Sequence, residues 1–109
     1  MKLLPSLRQK KRYVVFEIIS SATFLLADVE KEVMAVLHQF LGDLGVARAG
    51  PLFVKEKYKN QKFIIKVNHT AVDECKAGIV LVKKIKNTPV IIKSVITSGS
   101  LKKASSYLS

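Results

Sequence analysis

Lys10-Lys11-Arg12-Tyr13-Val14-Val15-Phe16-Glu17-Ile18-Ile19 sets three cations directly ahead of a run rich in β-branched and aromatic side chains. That composition predicts a first β-strand over Arg12 to Ile19. Its apolar residues occupy both parities, Val14, Phe16 and Ile18 on one and Tyr13, Val15 and Ile19 on the other. A strand apolar on both faces is covered on more than one side, so it belongs in the centre of a sheet.

Outward from this strand, Ser20 to Ala27 reads as a connector and Asp28 to Leu41 as a helix. Val29, Val33, Val36, Leu37, Phe40 and Leu44 recur at helical spacing and predict its buried stripe. Asp28 is placed to cap it, Glu30 and Glu32 suit the positive end of its dipole, and Gly42 and Gly45 supply stop signals. The acidity of this segment is thereby explained without a catalytic role. Gly50-Pro51 then introduces a second strand, Leu52 to Tyr58, with Lys55 and Lys57 alternating outward. Lys59-Asn60-Gln61 turns it into a third strand, Lys62 to Val67, where Phe63, Ile65 and Val67 share one face. Thr70-Ala71-Val72-Asp73 has the form of a capping box for a second helix reaching about Lys86. Its stripe is Ala71, Cys75, Gly78, Ile79, Val82 and Ile85, with Asn87 and Pro89 as its end. Thr88 to Thr97 is a last strand, broken by Ser98-Gly99, and Ser100 to Leu108 reads as a short basic helical tail.

The order β-α-β-β-α-β predicts an α+β fold, a two-layer split βαβ sandwich of ferredoxin-like or RRM-like form with short basic terminal extensions. A single domain is expected: a basic arm over 1–11, a core over 12–97 and a basic tail over 98–109. At 109 residues, 49% of them apolar, the chain has material for one core and is not compositionally disordered. The sheet face away from the two helices keeps apolar side chains. That face, or the Ser20 to Ala27 connector, is expected to be covered by a terminal segment, a partner chain or both.

The longest uncharged stretch, Ile18 to Ala27, is too short and too hydroxylated for a membrane span, and the first residues lack the apolar core of a secretory signal. The lone cysteine, Cys75, rules out an internal disulfide. These features predict a cytoplasmic protein.

Charge narrows the function. The chain carries 19 Lys and Arg against 8 Asp and Glu, a formal net charge of +11. Residues 1–12 hold Lys2, Arg8, Lys10, Lys11 and Arg12 with no acid. Residues 48–66 hold Arg48, Lys55, Lys57, Lys59, Lys62 and Lys66 against Glu56, and residues 76–109 hold seven lysines and no acid. Basic segments without compensating acids are the pattern of a protein that meets a polyphosphate backbone.

Catalysis finds little support. His38 and His69 have no partner at a metal-ligand spacing, Cys75 falls on a buried stripe, and no phosphate-binding glycine motif is present. The third strand, Lys62-Phe63-Ile64-Ile65-Lys66-Val67, lacks the glycine–aromatic pattern of RNA-recognition modules. Tyr13, Phe16 and Phe63 are therefore read as core, and binding to the backbone of structured RNA is favoured over base readout.

Leu4-Pro5 with Leu7-Arg8, Lys10-Lys11-Arg12-Tyr13 and Phe16-Glu17-Ile18-Ile19 resembles the N-terminal signature of the ribonuclease P protein component 2 family. The resemblance resumes at Gly42, Gly45, Pro51 and Val90-Ile91-Ile92-Lys93, and closes at Val95 and Thr97-Ser98-Gly99-Ser100-Leu101-Lys102-Lys103. Thr97 stands where the family has valine, and Lys102-Lys103 where arginine is common. The resemblance implies an RNA-binding subunit of the ribonucleoprotein that removes the 5′ leader of precursor tRNA. The RNA would be the catalyst, using Mg2+; no cofactor is bound by this chain, and no catalytic or metal residue is expected in it. Implied partners are the ribonuclease P RNA, precursor tRNA and the barrel-folded component 3, with self-contact in a two-plus-two heterotetramer. RNA-binding residues are expected at Arg8, Lys10, Lys11, Arg12, Lys93, Ser98, Gly99, Lys102 and Lys103.

Two other functions account for part of the pattern. A ribosomal or ribosome-associated protein of the same fold would share the charge. A ferredoxin-like regulatory domain for a small ligand would need a polar pocket and would not need the charge.

Overall fold

In the computed structural model, residues 10–108 are described, so Arg8 and most of the N-terminal arm lie outside the described residues. The elements are β1 (Lys11–Ile19), α1 (Leu26–Ala49), β2 (Leu52–Phe53), β3 (Lys62–Asn68), α2 (Val72–Ile79), β4 (Lys84–Ile85), β5 (Thr88–Pro89), β6 (Ile91–Ser98) and α3 (Leu101–Ser105). Four strands form an antiparallel sheet in the order β2-β3-β1-β6. The sandwich read from the sequence is present, with β1 inside the sheet.

The two parities of β1 explain the layers. Val14, Phe16 and Ile18 join Phe63, Ile65 and Val67 of β3 beneath α1 and α2 in one buried cluster. Phe16, Phe63 and Phe53 stack across three strands with centroids 5.3 Å apart at each step. On the opposite face Val15, Val54 and Ile64 are buried with Ala104 and Leu108 from the C-terminal segment. Residues 98–109, read as a tail, thus contribute a short helix to a third layer. A bulge between Val15 and Phe16 shifts the β1–β6 register.

Several boundaries differ from the sequence reading. The first helix starts two residues before Asp28, behind Leu25, and no side chain caps it; Asp28 is a first-turn acid. It runs on to Ala49, because Gly42 (φ 74°, ψ 172°) interrupts its helical geometry and the chain then resumes it until Gly50, at φ 58°, ends it. That interruption re-aims the residues beyond it, and Leu44 is 86% exposed. Val29, Val33 and Leu37 are buried as expected, whereas Phe40, ahead of the interruption, is 47% exposed.

The second strand is shorter than expected. Only Leu52–Phe53 pairs as a strand, and Lys55–Lys57 forms a 3-10 turn instead of continuing the alternation. The hairpin survives this, since Lys59 and Lys62 exchange backbone hydrogen bonds of 3.0 and 2.9 Å around Asn60 (φ 55°) and Gln61 (φ 61°). Paired left-handed residues match the twist of the flanking strands.

The second helix also ends early, at Ile79, and no side chain of the expected capping box caps it. Val80, Leu81 and Val82 tighten the chain through bonds to Lys76, Gly78 and Ile79, and the β4–β5 hairpin follows. Its turn is Lys86 (φ 50°) and Asn87 (φ 65°), so Asn87 and Pro89 belong to a hairpin and not to a helix end. Val82 and Ile85 are nevertheless buried, as the stripe required. No helix among the described residues is long and apolar enough to cross a membrane.

Candidate nucleic-acid interface

Strand register brings the two basic segments together. Tyr13 pairs with Ser98, which places Arg12 beside Gly99 at the end of the β1–β6 ladder. The guanidinium of Arg12 lies against Gly99, where an added Cβ would be 3.5 Å from Nη1, and donates to the Lys11 carbonyl at 3.2 Å. Ser98 is buried, and its Oγ accepts from the Ser100 amide at 3.1 Å. Ser100 Oγ in turn accepts from the Lys103 amide at 3.4 Å at the start of α3. Ser98 and Gly99 therefore turn the chain and carry Lys102 and Lys103, both exposed, onto the same end of the sheet as Arg12.

The three cations before β1 are not equivalent. Lys10 is exposed, and its carbonyl accepts from the His69 amide at 2.8 Å. The Lys11 ammonium is hydrogen-bonded to Asn68 Oδ1, and Asn68 Nδ2 donates to the Arg48 carbonyl at 2.6 Å. Lys11 thus ties the end of α1 to the sheet as well as adding charge. Lys93 stands apart: it pairs with Glu17 at 3.7 Å. It also lies five residues before Ser98 on β6, about 16 Å along a strand. Arg8 lies outside the described residues.

Ion pairs absorb part of the charge elsewhere. Lys55 meets Glu30, Lys86 meets Asp28 and Arg48 meets Glu74, each at 3.6 Å. Among the described residues, Lys10, Lys11, Arg12, Lys102 and Lys103 have no ion-pair partner. Lys31, Lys57, Lys59, Lys62, Lys66, Lys76, Lys83 and Lys84 are unpaired among the described residues as well; what sets Arg12, Lys102 and Lys103 apart is their place at one end of the sheet, built from β1 and α3.

The residues with catalytic potential sit elsewhere. Cys75 is fully buried, and burial pushes its thiol up to about 12. That suits a small core side chain and not a nucleophile. His38 Nε2 lies 2.6 Å from Asp43 Oδ1 on the exposed side of α1. Among the described residues no group of three or more His, Cys, Asp or Glu could hold a metal ion.

Sequence reading passed over Lys66. It pairs with Tyr13 in the register, and its ammonium stands 6.0 Å from the centre of the Tyr13 ring. The available signal was its parity, shared with Lys62 on the face opposite Phe63.

Residues 12–109 match the model of the Rpp14/Pop5 family. The chain belongs to the Rpp14/Pop5 family. Ribonuclease P protein component 2 of Thermococcus kodakarensis is 34% identical over 93% of this chain and 84% of its own. The protein of the same name from Methanosarcina barkeri is 35% identical over 94% of this chain and 75% of its own. A chain in the cryo-EM structure of yeast ribonuclease MRP aligns with a TM-score of 0.55 at 15% identity, covering 93% of this chain and 87% of that one. That likeness speaks for the fold. The Rpp14/Pop5 relatives and the cationic end lead to the same class of function by separate routes.

Proposed function

We propose that this chain is an RNA-binding protein subunit of ribonuclease P, the ribonucleoprotein that removes the 5′ leader of precursor tRNA. The observation that carries the RNA-facing role is the cationic end of the sheet, where Arg12, Lys102 and Lys103 converge without acids. Folding an RNA and docking a second RNA onto it presses phosphates together, and fixed protein cations relieve that repulsion. The chain supplies that field and no chemistry of its own: the RNA is the catalyst and holds the Mg2+ ions. Component 3 and a second copy of this chain are its protein partners in a two-plus-two assembly, and the particle works in the cytoplasm.

Reconstitution with the cognate RNA tests this. If about six phosphates are neutralised, log K should fall with log salt at a slope of about −4 to −5. Charge-neutral replacement of Arg12 with Lys102 and Lys103 should flatten that slope and lower holoenzyme activity most at low Mg2+. A slope near zero, or full low-Mg2+ activity in the variant, overturns the assignment. Leader removal by the protein alone, free of RNA, would overturn the division of labour.

A further inference from the structure

One row of side chains crosses the α3 face of the sheet. Leu52 pairs with Lys66, Lys66 with Tyr13, and Tyr13 with Ser98. Helix α3 and the residues after it cover the middle of this face, burying Val15 and Ile64 beneath Ala104 and Leu108, and Ser98 is buried too, but Tyr13 and Lys66 are half-buried and Leu52 is exposed. Beside it a cavity of about 290 Å³ is lined by Tyr13, Leu52, Lys66 and Leu101, with Lys55 and Glu56 also on its wall.

We propose that this cavity takes one unpaired nucleotide of the bound RNA, with its base stacked on the Tyr13 ring and its phosphate on Lys66. The proposal rests on the RNA-binding reading above and adds base contact to a surface otherwise read as meeting phosphates. Size, lining and charge all favour that occupant. The volume lies at the bottom of the range for ligand pockets, about 300 Å³ upward, room for a single planar group. The wall offers an aromatic face and aliphatic side chains in place of converging buried hydrogen-bonding groups. A small polar metabolite would need such groups, whereas a base presents a π-face that stacks whatever its identity.

The ammonium of Lys66 lies at the edge of cation–π range of the ring. Among the described residues it has no ion-pair partner. It can leave the ring for a phosphate as the base arrives. Lys55 is held by Glu30 at 3.6 Å and so is less available. Lys102 directly follows Leu101 in α3, so the cavity adjoins the cationic end.

The chain has no tryptophan, so Tyr13→Trp installs a single reporter in the cavity. The full-length variant should bind ribonuclease P RNA like the parent, with its emission strongly quenched by the stacked base. Tyr13→Leu should weaken binding about 10- to 100-fold with the salt slope unchanged, because a stack is lost and not a charge. Tyr13→Phe should bind like the parent. Unquenched Tyr13→Trp emission at saturating RNA, or parent-like affinity of Tyr13→Leu, overturns the nucleotide site while the RNA-binding reading stands. Quenching by a protein partner in place of RNA also overturns it. If the parent chain shows no salt-dependent RNA binding, the underlying reading falls and takes the site with it. Should Tyr13→Leu fail to fold, the fluorescence arm decides.

Discussion

Glu17 of the central strand and Lys93 of the outer strand face each other across the β1–β6 ladder, with 3.7 Å between carboxylate and ammonium. Because both are partly exposed, the pair contributes only about 0–1 kcal/mol. Lys93→Gln should therefore shift the denaturant midpoint little and leave the salt slope of RNA binding near that of the parent. Replacing Lys102 and Lys103 should flatten it. A slope flattened by Lys93→Gln as well would place Lys93 on the RNA surface.

Gly78 is where α2 meets α1. A Cβ there would stand 2.8 Å from Phe40 Cδ2 and 2.9 Å from Leu37 Cδ1. Phe40 is half-exposed and can move, but Leu37 is fully buried. Alanine gains about 1 kcal/mol of helix propensity over glycine, against about 1–3 kcal/mol for overpacking a core. We expect Gly78→Ala to lower stability by about 1 kcal/mol in urea titration; a stabilised variant would show that the two helices can part without cost.

Asn68 joins three elements through its side chain, accepting from Lys11 and donating to the Arg48 carbonyl at the end of α1. Asn68→Ala leaves those groups without partners and should cost about 1–3 kcal/mol. Arg12→Gln, at a surface position, should fall within about 0.5 kcal/mol of the parent. Urea midpoints measured for the two variants should separate the structural cation, Lys11, from the one held in reserve for RNA.

Burial raises the Cys75 thiol from 9.0 to about 12. A raised folded value means that its contribution to stability is intact below about 9 and is lost as pH rises toward 12. Thiol reagents at pH 8 should leave the native chain unmodified and react fully after denaturation. The alkaline loss of stability should be smaller in Cys75→Ala than in the parent. Rapid labelling of the native protein would contradict the buried thiol.

The layers were legible because burial follows parity. Val14, Phe16, Phe63 and Ile65 declare their face in the sequence, and the stripe from Ala71 to Ile85 named buried residues correctly even where its helix stops. The boundaries were not, because Val82 and Ile85 keep helical spacing through a turn and a hairpin. Lys86-Asn87 forms a left-handed pair without the glycine that usually announces one. Leu44 was misplaced by the backbone at Gly42, which no hydrophobic pattern encodes. The meeting of Arg12 with Lys102 and Lys103 depends on the pairing of Tyr13 with Ser98, a contact between the two ends of the chain.

The position of β1 has a further consequence for how the protein is made. Its two neighbours are β3 and β6, both later in the chain, so β1 must wait during synthesis for residues 62–68 on one side and 91–98 on the other. The α3 face closes only when Ala104 and Leu108 arrive. Such distant pairings are slow to form, because loop closure comes before the contacts that reward it. Until residues 91–98 are out, β1 remains an incompletely paired apolar strand with a cationic head, and its α3 face stays open until Ala104 and Leu108 follow. Its attached charge then acts as an intrinsic solubilising group for the nascent chain, and the same head becomes the RNA-facing end once folding is complete.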